Sequence, residues 1–529
     1  MVKQLSRTES LAVRVRLGPL MVKTIIKSVT KSVGHGIKND PEIQRLKNRY
    51  PRFFRFIKKR LTPNEKYGLY LTIGSLITLF FIYLFFGILR DYIGQEALIR
   101  ADLRIINLIS QFRTSSINQF MLFITYLAKG EIIAIAVFFS LIILFLLRKW
   151  SYFNNLLVFI LGGELFVWII KNIVERPRPP LTESLVIESS YSFPSGHSFV
   201  AIAFYGLITF FLFESLKRKW VKFLVLLLGF VLILLIGSSR IYLGAHWPSD
   251  VLAGFTSSLA WLSIIITISH IKKKFNPQLI HPPHFKKQNI AKISFLLLIL
   301  FFVFVYNFYL NHPLKQMNTS VISKTTIQNN EIYSKLFDNL PKISETVTGA
   351  PAEPINIIII SDKETLSQAF VNSKWFLLDQ LSLKTSFKII KSVAKRESYP
   401  QTPGLPVFWD TRPNTIGYGQ PTEDNLASSR HHIHLWESSY ITEKGDNIWI
   451  GTAHFDEEIK RKFNIILPIH TTQILVDEER EKIKKDLENS GFLKSFEKID
   501  ITGLTYGAKK SGNKYLSDGQ AYILYLQNK

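Results

Sequence analysis

The sequence predicts an all-α, multi-pass membrane helix bundle, with a six-helix core and a seventh span, followed by a soluble α/β or α+β domain. Three observations support this fold class. Long apolar runs fill most of residues 67–310, basic residues gather between alternate runs, and the composition becomes polar from about His312. Hydrophobic residues make up 47% of the chain, although Lys and Arg exceed Asp and Glu by 65 to 40. Such a basic excess in an apolar chain is typical of a membrane protein whose charges lie in its loops.

Seven apolar runs are expected to cross the membrane. The first, third, sixth and seventh approach the roughly 20 residues that span a bilayer core. The second, fourth and fifth are shorter, but apolar neighbours can extend each of them. The seven runs are Tyr67–Leu89, Ile132–Leu147, Tyr152–Ile170, Phe199–Phe213, Phe223–Ile236, Val251–Ile268 and Ile293–Leu310.

The apolar runs divide the chain into four parts. A basic segment at residues 1–66 is followed by the membrane core at 67–270, a basic loop with the seventh span at 271–311, and the soluble domain at 312–529. In the first part, Arg45–Arg60 mixes basic and aromatic residues. That segment is either attracted to anionic lipid headgroups or acts as a topology signal, and both interpretations place it in the cytoplasm.

The charges of the loops predict the orientation of the chain. The clusters Arg148–Lys149, Lys217–Lys219 and Lys272–Lys274 follow spans two, four and six, on the same side as the basic N-terminal segment. By the positive-inside rule this side is cytoplasmic. The loops after spans one, three and five, and the whole C-terminal domain, are therefore expected in the periplasm of a bacterial-type inner membrane.

Composition also excludes several classes of protein. A net charge of +25 would suit a nucleic-acid-binding protein, but the basic residues flank apolar runs and no nucleic-acid motif is present. We therefore expect no nucleic-acid partner. The chain contains no cysteine, which excludes disulfides, thiolate metal sites and cysteine nucleophiles.

Three polar clusters interrupt the apolar part of the chain. Each lies at the predicted external end of a span, so the topology alone brings all three to one face of the membrane. The clusters are Lys171-x6-Arg178-Pro179, Pro194-Ser195-Gly196-His197 and Ser239-Arg240-x5-His246-x3-Asp250.

The residue types in these clusters suit an oxyanion. Lys171, Arg178 and Arg240 supply cationic donors, and the two arginines can each make bidentate contacts with phosphate oxygens. Ser195 and Gly196 open a helix, whose free backbone N–H groups and dipole favour a negative group. The alternative is that Lys171 and Arg178 are ordinary span-end residues that snorkel to the interface.

The histidines supply a nucleophile and an acid. Asp250 follows His246 by four residues, close enough to hold one ring nitrogen and leave the other free to attack phosphorus. His197 is suited to protonate the leaving alkoxide. This chemistry requires no metal and no other cofactor, because the carboxylates of a two-metal site are not clustered here.

The segments KNIVERPRP, PSGH and SRIYLGAHWPSD resemble the signature motifs of the type-2 phosphatidic acid phosphatase superfamily, also called lipid phosphate phosphatases. The resemblance covers about residues 65–270. It implies a six-helix membrane core and a hydrolase that removes phosphate from a lipid phosphate or diphosphate. It further implies a phosphohistidine at His246, His197 as general acid, and phosphate contacts from Lys171, Arg178, Ser195, Gly196 and Arg240. The choice of His246 over His197 as nucleophile rests on this resemblance.

Two other functions are compatible with the fold of a lipid phosphatase. Vanadium-dependent haloperoxidases share the superfamily, but they are soluble, and the apolar runs argue against one. A non-catalytic lipid-phosphate binding or transport protein on the same fold predicts loss of the nucleophile or its acid, and both are present. The motifs recognise a phosphate, so phosphatidic acid, an isoprenoid diphosphate, phosphatidylglycerol phosphate and a lipid A phosphate all stay open, as does the oligomeric state.

The polar C-terminal part is expected to fold as a separate domain. Ile355–Ser361, Asn447–Phe455 and Ile465–Val476 are predicted strands, and Asp477–Asn489 is a predicted exposed helix. The segments PVFWDTRPNTIGYGQPT, SRHHIHLW and GTAHFDE resemble the LssY-type C-terminal domain over about residues 340–500. A lid or substrate-recognition module is the expected role, because the domain and the site are both predicted to lie outside.

The histidines of this domain allow two interpretations. On a strand, His432 and His434 would share a face, and His431 would point the opposite way. His454 and His470 lie on other predicted strands. These residues either converge on a metal or form a polar, half-exposed sheet face.

Overall fold

A computed structural model describes most of the chain. The predicted basic segment and the loop before the seventh span lie partly outside the described residues, at 1–39, 63–67 and 276–286. The described residues are 40–62, 68–94, 96–180, 184–275, 287–313, 324–338, 340–380, 382, 385, 387–389, 391–392, 399–404, 406–422, 430–462, 465–472, 476–508 and 514–528.

The first part of the structure is helical. Its helices are α1 (Pro41–Arg49), α2 (Pro51–Leu61), α3 (Leu69–Gly94), α4 (Glu96–Ser110), α5 (Ser115–Tyr126), α6 (Gly130–Leu146), α7 (Trp150–Val174), α8 (Gly196–Ser215, with a π-helical turn at Ala201–Gly206), α9 (Lys219–Tyr242), α10 (Pro248–Phe275) and α11 (Lys287–Asn311). The chain divides into two compact units, one formed by residues 1–77 and 266–278 and the other by 78–265 and 279–529.

Six of the described helices are long and apolar enough to cross a membrane, namely α3, α7, α8, α9, α10 and α11. The predicted extension of the short fourth and fifth runs is confirmed, because α8 and α9 reach 20 and 24 residues. The second run behaves differently. Its helix α6 has 17 residues and meets α5 at an angle of 47°, so the predicted second span is one arm of a bent pair. The fold class is a multi-pass membrane bundle of six spans, or seven if the pair counts as one.

Close helix packing brings the ends of α8 and α10 together. Gly254 of α10 lies against the start of α8, where an added Cβ would come within 2.6 Å of the carbonyl oxygen of Ser195. The backbone N–H of Ser195 donates to the carbonyl of Asp250 at 3.1 Å. Only a residue without a side chain permits this approach, so Gly254 places two of the polar clusters in direct backbone contact.

The C-terminal part is a sheet-containing domain. A mixed nine-stranded sheet runs in the order β12-β15-β4-β10-β9-β8-β5, with β1 added to β9 and β11 added to β10, beside a four-stranded sheet β3-β2-β6-β7 and a β13-β14 pair. The elements are β1 (Thr325–Ile327), α12 (Ile332–Phe337), β2 (Ile343–Glu345), β3 (Pro351–Pro354), β4 (Ile357–Ile360), α13 (Lys363–Asn372), β5 (Phe376–Leu377), β6 (Phe408–Trp409), β7 (Arg412–Pro413), β8 (Ile416–Pro421), β9 (Arg430–Thr442), β10 (Asn447–Lys462), β11 (Ile465–Thr472), α14 (Asp477–Asn489), β12 (Leu493–Asp500), β13 (Thr505–Ala508), β14 (Lys514–Ser517) and β15 (Gln520–Leu526).

The large sheet is buried on both faces. The four isoleucines of β4 alternate between two apolar clusters, Ile357 and Ile359 on one face and Ile358 and Ile360 on the other. Burial on both faces explains why this strand is a continuous apolar run rather than an alternating one. All three predicted segments contain strands, although the third strand ends at Thr472 and not at Val476. The helix Asp477–Asn489 has the predicted bounds, but it is not fully exposed, because Ile483 and Leu487 pack into the apolar cluster on one face of the sheet.

Helix α4 joins the C-terminal domain to the membrane core. Arg104 pairs with Glu345 of β2 at 2.8 Å, and Arg100 pairs with the same carboxylate at 3.1 Å. The Nε atom of Arg104 also donates to the carbonyl of Val347 at 3.1 Å. Arg104 is buried, so this pairing is shielded from screening by salt.

Candidate active site

The three polar clusters meet where four helices end. Neighbouring residues of these clusters contact each other through side-chain and backbone hydrogen bonds. Lys171 lies in the last turn of α7, Arg178 in the segment after it, Ser195, Gly196 and His197 at the start of α8, Arg240 in the last turn of α9, His246 in the loop before α10, and Asp250 in the first turn of α10.

His246 is held between a carboxylate and a cation. Its Nδ1 lies 3.4 Å from an oxygen of Asp250, and its Nε2 lies 3.3 Å from Nη1 of Arg178. The side chain is 1% exposed. Burial, together with the nearby cations Arg178 and Arg240, lowers the pKa of His246 well below its ordinary value. The ring is therefore neutral at pH 7 and keeps a lone pair for bond formation.

Asp250 is fixed by several donors. Its Oδ2 accepts the backbone N–H of Trp247 at 3.0 Å and the hydroxyl of Ser192. Its Oδ1 accepts Nη1 of Arg176 at 2.7 Å. A carboxylate bound on both oxygens cannot rotate freely, so Asp250 sets the orientation of the adjacent imidazole.

Arg176 and Asp102 extend this arrangement, and neither was selected from the sequence. Arg176 is 2% exposed and bridges Asp250 to Asp102, whose Oδ2 lies 2.8 Å from its Nη2. The guanidinium also lies over the rings of Tyr92 and Trp247, at 4.4 and 5.5 Å from their centroids. Arg176 is one of the six unspecified residues between Lys171 and Arg178 in the first polar cluster. Asp102 lies on α4, outside the three polar clusters that the sequence analysis selected.

Asp102 is a buried acid with its own set of donors. It accepts the backbone N–H of Ser249 at 3.0 Å as well as the Ser249 hydroxyl. Burial raises the pKa of Asp102 above its ordinary value, and the hydrogen bonds from Ser249 and Arg176 oppose that rise. Helix α4 thus contacts the first turn of α10, next to the loop that carries His246.

The three cations that suit a phosphate are already bound to protein acceptors. Lys171 donates to the hydroxyl of Ser190 at 3.1 Å, and Nε of Arg178 donates to the Ser190 carbonyl at 2.6 Å. Arg240 donates to Thr125 at 2.7 Å and pairs with Glu188. Residues 188–191 therefore supply acceptors to all three cations.

Glu188 is a third residue that was not selected from the sequence. Burial favours a higher pKa for Glu188, but Arg240 and Arg178 outweigh it and hold the pKa below its ordinary value. The side chain is therefore an anion. The carboxylate of Glu188 therefore pairs with Arg240, the same arginine that is predicted to bind a phosphate oxygen.

A cavity of about 390 Å³ opens beside this ion pair. His197, Arg240 and Glu188 form its polar wall, and the end of α11 closes one side. The remaining lining is largely apolar or aromatic, with Leu122, Thr125, Tyr126, Lys129, Leu185, Val186, Ile187, Asn311, His312 and Pro313. A phosphate beside His197 would have its organic part against these side chains.

The start of α8 has the predicted N-cap. Ser195 caps the helix through its hydroxyl, which accepts the backbone N–H of Ser198 at 3.4 Å. An added Cβ at Gly196 would meet Val167 at 3.7 Å, an ordinary contact. Packing alone therefore does not require glycine there, and close approach of a ligand to Gly196 stays a prediction.

Family models match both parts of the chain. One described as the PAP2 superfamily matches residues 152–274, and one described as the LssY C-terminus matches residues 337–521.

Two relatives each match about a third of this chain. Phosphatidylglycerophosphatase B of Bacillus subtilis (strain 168) is 35% identical over 198 residues, which cover 37% of this chain and 96% of that protein. Undecaprenyl-diphosphatase of Sulfolobus acidocaldarius is 28% identical over 192 residues, which cover 35% of this chain and 87% of that protein. A crystal structure of a transmembrane PAP2 type phosphatidylglycerolphosphate phosphatase from Bacillus subtilis is 30% identical, covers 38% of this chain and 99% of that chain, and has a TM-score of 0.36.

Neutralising Asp102 should slow catalysis without weakening substrate binding. In Asp102→Asn, Arg176 loses one charged partner and no longer holds Asp250 in one position. We expect kcat to fall about 10-fold, whereas KM changes little because Asp102 does not contact the three cations. Steady-state phosphate release at several substrate concentrations separates the two constants.

Asp91→Asn is the matched control, because Asp91 pairs with the exposed Arg90. It should leave both constants unchanged. Equal kcat values in Asp102→Asn and the wild type would contradict a positioning role for Asp102.

Proposed function

The chain belongs to the PAP2 superfamily and is a membrane phosphatase; on that premise we propose that it hydrolyses a lipid phosphate or diphosphate through a phosphohistidine at His246. The single observation that carries this proposal is the position of His246 between Asp250 and Arg178. One ring nitrogen faces a fixed carboxylate, and the other faces a cation suited to a phosphate oxygen.

In the first step, Nε2 of neutral His246 forms a bond to phosphorus as the bond from phosphorus to the leaving oxygen breaks. His197 gives its proton to that oxygen, so the lipid leaves as an alcohol or a monophosphate. Lys171, Arg178 and Arg240 stabilise the charge that develops on the other phosphate oxygens. Asp250 stabilises the positive charge on the imidazole.

In the second step, a water molecule attacks the phosphohistidine. His197, now neutral, accepts a proton from this water as the bond between nitrogen and phosphorus breaks. Inorganic phosphate leaves, and both histidines return to their starting states. No step requires a metal ion.

The substrate is proposed to be a lipid. The apolar lining of the cavity beside His197 suits an acyl or isoprenoid chain close to the phosphate. The relatives named above are a phosphatidylglycerophosphatase and an undecaprenyl-diphosphatase. Both substrate classes place an anionic phosphate next to a long apolar chain.

Phosphate release from a panel of lipid phosphates tests this function directly. The detergent-purified wild type should release phosphate in EDTA without added metal, and His246→Ala should lose at least about 1000-fold in kcat, because it lacks the nucleophile. His197→Ala should slow both steps, because the same side chain protonates the leaving oxygen and accepts a proton from the attacking water. Rapid quenching of the wild type in base, with a substrate carrying ³²P, should trap the labelled protein. The label should be acid-labile and stable to base.

The same panel distinguishes the alternative function. A folded wild type that binds lipid phosphates without releasing phosphate would replace the hydrolase with a non-catalytic binding or transport protein. Release that persists in His246→Ala would remove His246 from its proposed role.

Substrate binding is proposed to displace Glu188 from Arg240. A phosphate cannot take both donors of Arg240 while the carboxylate stays in place, because the two anions repel each other. Residues 188–191 therefore exchange with the substrate, and Lys171 and Arg178 change partners at the same time.

Removing the charge of Glu188 should therefore tighten binding. In Glu188→Gln we expect about a 10-fold lower KM, because one charge-assisted hydrogen bond no longer competes with the substrate. The inhibition constant of inorganic phosphate should fall in parallel. Glu131→Gln, on the exposed first turn of α6, is the control. A higher KM in Glu188→Gln would assign Glu188 to substrate binding instead of competition.

The site and the C-terminal domain are proposed to lie in the periplasm, on the basis of the loop charges. The absence of cysteine makes this easy to test, because single cysteines can be introduced without background. An impermeant maleimide should label Asn489→Cys in cells with a permeable outer membrane. It should label Ser151→Cys, next to the basic pair after α6, only after the inner membrane is opened. The reverse pattern would invert the proposed topology.

A further inference from the structure

Three histidines of the C-terminal domain project from one face of the large sheet. His432 and His434 are two residues apart on β9, so their side chains share a face. His454 of β10 is the direct cross-strand partner of His432, and Thr452 is the partner of His434. The antiparallel register between β9 and β10 thus brings the imidazoles of His432, His434 and His454 together.

The three rings are in contact and buried. Ring centroids lie 4.3 Å apart for His432 and His434, 5.3 Å for His432 and His454, and 5.6 Å for His434 and His454. Their exposed fractions are 2%, 3% and 5%. This excludes the half-exposed polar face that was one interpretation of the sequence. Burying three polar rings together is costly unless a shared ligand or hydrogen bonds offset the loss of water.

The ligand atoms are close enough to share one ion. One nitrogen from each ring can be chosen so that all three lie within 4.8 Å of one another. Nitrogens that bind a tetrahedral zinc ion at about 2.1 Å are roughly 3.4 Å apart. Small rotations of the three side chains would close this difference.

A buried acid lies behind this group. Glu353 of β3 is 1% exposed, and its carboxylate oxygen lies 3.5 Å from Nδ1 of His454. A carboxylate at one ring nitrogen orients the ring and raises the basicity of the other nitrogen, an arrangement that recurs behind metal-binding histidines. In a metal site, Glu353 would be the outer partner of His454, with Nε2 as the nitrogen that binds the ion.

A glycine, Gly404, packs directly against two of the three histidine rings. At Gly404 an added Cβ would lie 2.5 Å from Cε1 of His432 and 3.2 Å from Cε1 of His434. Arg430, two residues before His432, donates to the carbonyl of Thr402 and ties down this covering segment. Any larger residue at 404 would press on two of the three rings.

We propose that His432, His434 and His454 bind one divalent transition-metal ion, with zinc as the ion that fits best. Imidazole nitrogens are the ligands that zinc, copper and nickel share, and the chain has no thiolate to favour a softer ion. Three protein ligands leave a fourth position for water or an exogenous group. Glu353 acts as the outer partner of His454. This site belongs to the C-terminal domain and is separate from His197 and His246, so it is independent of the proposed phosphatase chemistry.

Metal content of the full-length protein tests this site. The protein is purified in detergent through a tag without histidine, stripped with a chelator, and reconstituted with Zn²⁺ or Co²⁺. The wild type should retain one equivalent per chain, and the Co²⁺ form should show the visible absorption of a four-coordinate site. His432→Gln and His454→Gln should each weaken metal binding by at least about 100-fold. Removing a residue that binds the metal directly lowers the affinity more than removing a residue that only holds a ligand in place.

His431→Gln is the matched control. His431 precedes His432 but lies on the opposite face of the sheet, where its Nδ1 is 2.9 Å from Glu479. It should keep one equivalent of metal with unchanged affinity. Glu353→Gln should keep the stoichiometry and lose about 10- to 100-fold in affinity, as expected of an outer partner.

Two results would overturn the site. One is a folded wild type that retains no Zn²⁺ and gives no Co²⁺ absorption after reconstitution. The other is binding that survives in both His432→Gln and His454→Gln. Circular dichroism identifies any variant that fails to fold; in that case the Co²⁺ spectrum of the wild type, with nitrogen ligands seen by X-ray absorption, decides the question.

Discussion

The buried chain of charges from Asp102 through Arg176 to Asp250 is the interaction on which the active site depends. Each member is almost fully inside the protein, where an unpaired charge would cost several kcal/mol. Pairing is therefore obligatory, and it forces three segments that are distant in sequence to meet at one point. His246 lies at the end of this chain, so the orientation of the proposed nucleophile is set by buried residues of other segments.

The three cations of the candidate site are paired with a loop of the same chain. Cations close to a membrane interior require partners, and residues 188–191 supply acceptors to all three. The same cations are proposed to bind the substrate phosphate, so substrate binding would require this loop to release them.

Helix α4 connects the active site with the C-terminal domain. It carries Asp102 toward Arg176 and Arg104 toward Glu345, so the same short helix contacts both regions. Glu345 ends β2, and β2 pairs with β3, which carries Glu353 beside His454. The domain is therefore held against the core through specific ion pairs, in addition to the covalent link after α11.

The sequence alone determined the apolar runs, the three polar clusters, and three strands and one helix of the second domain, because each depends on residues that are near one another along the chain. It also predicted that His432 and His434 share a face, which follows from the two-residue period of a strand. Only the tertiary structure decided that Arg176, Asp102 and Glu188 join the site, that α5 and α6 form a bent pair, and that His454 meets His432. These features depend on which distant segments pack together, and burial then imposes a partner on every charge that the packing encloses.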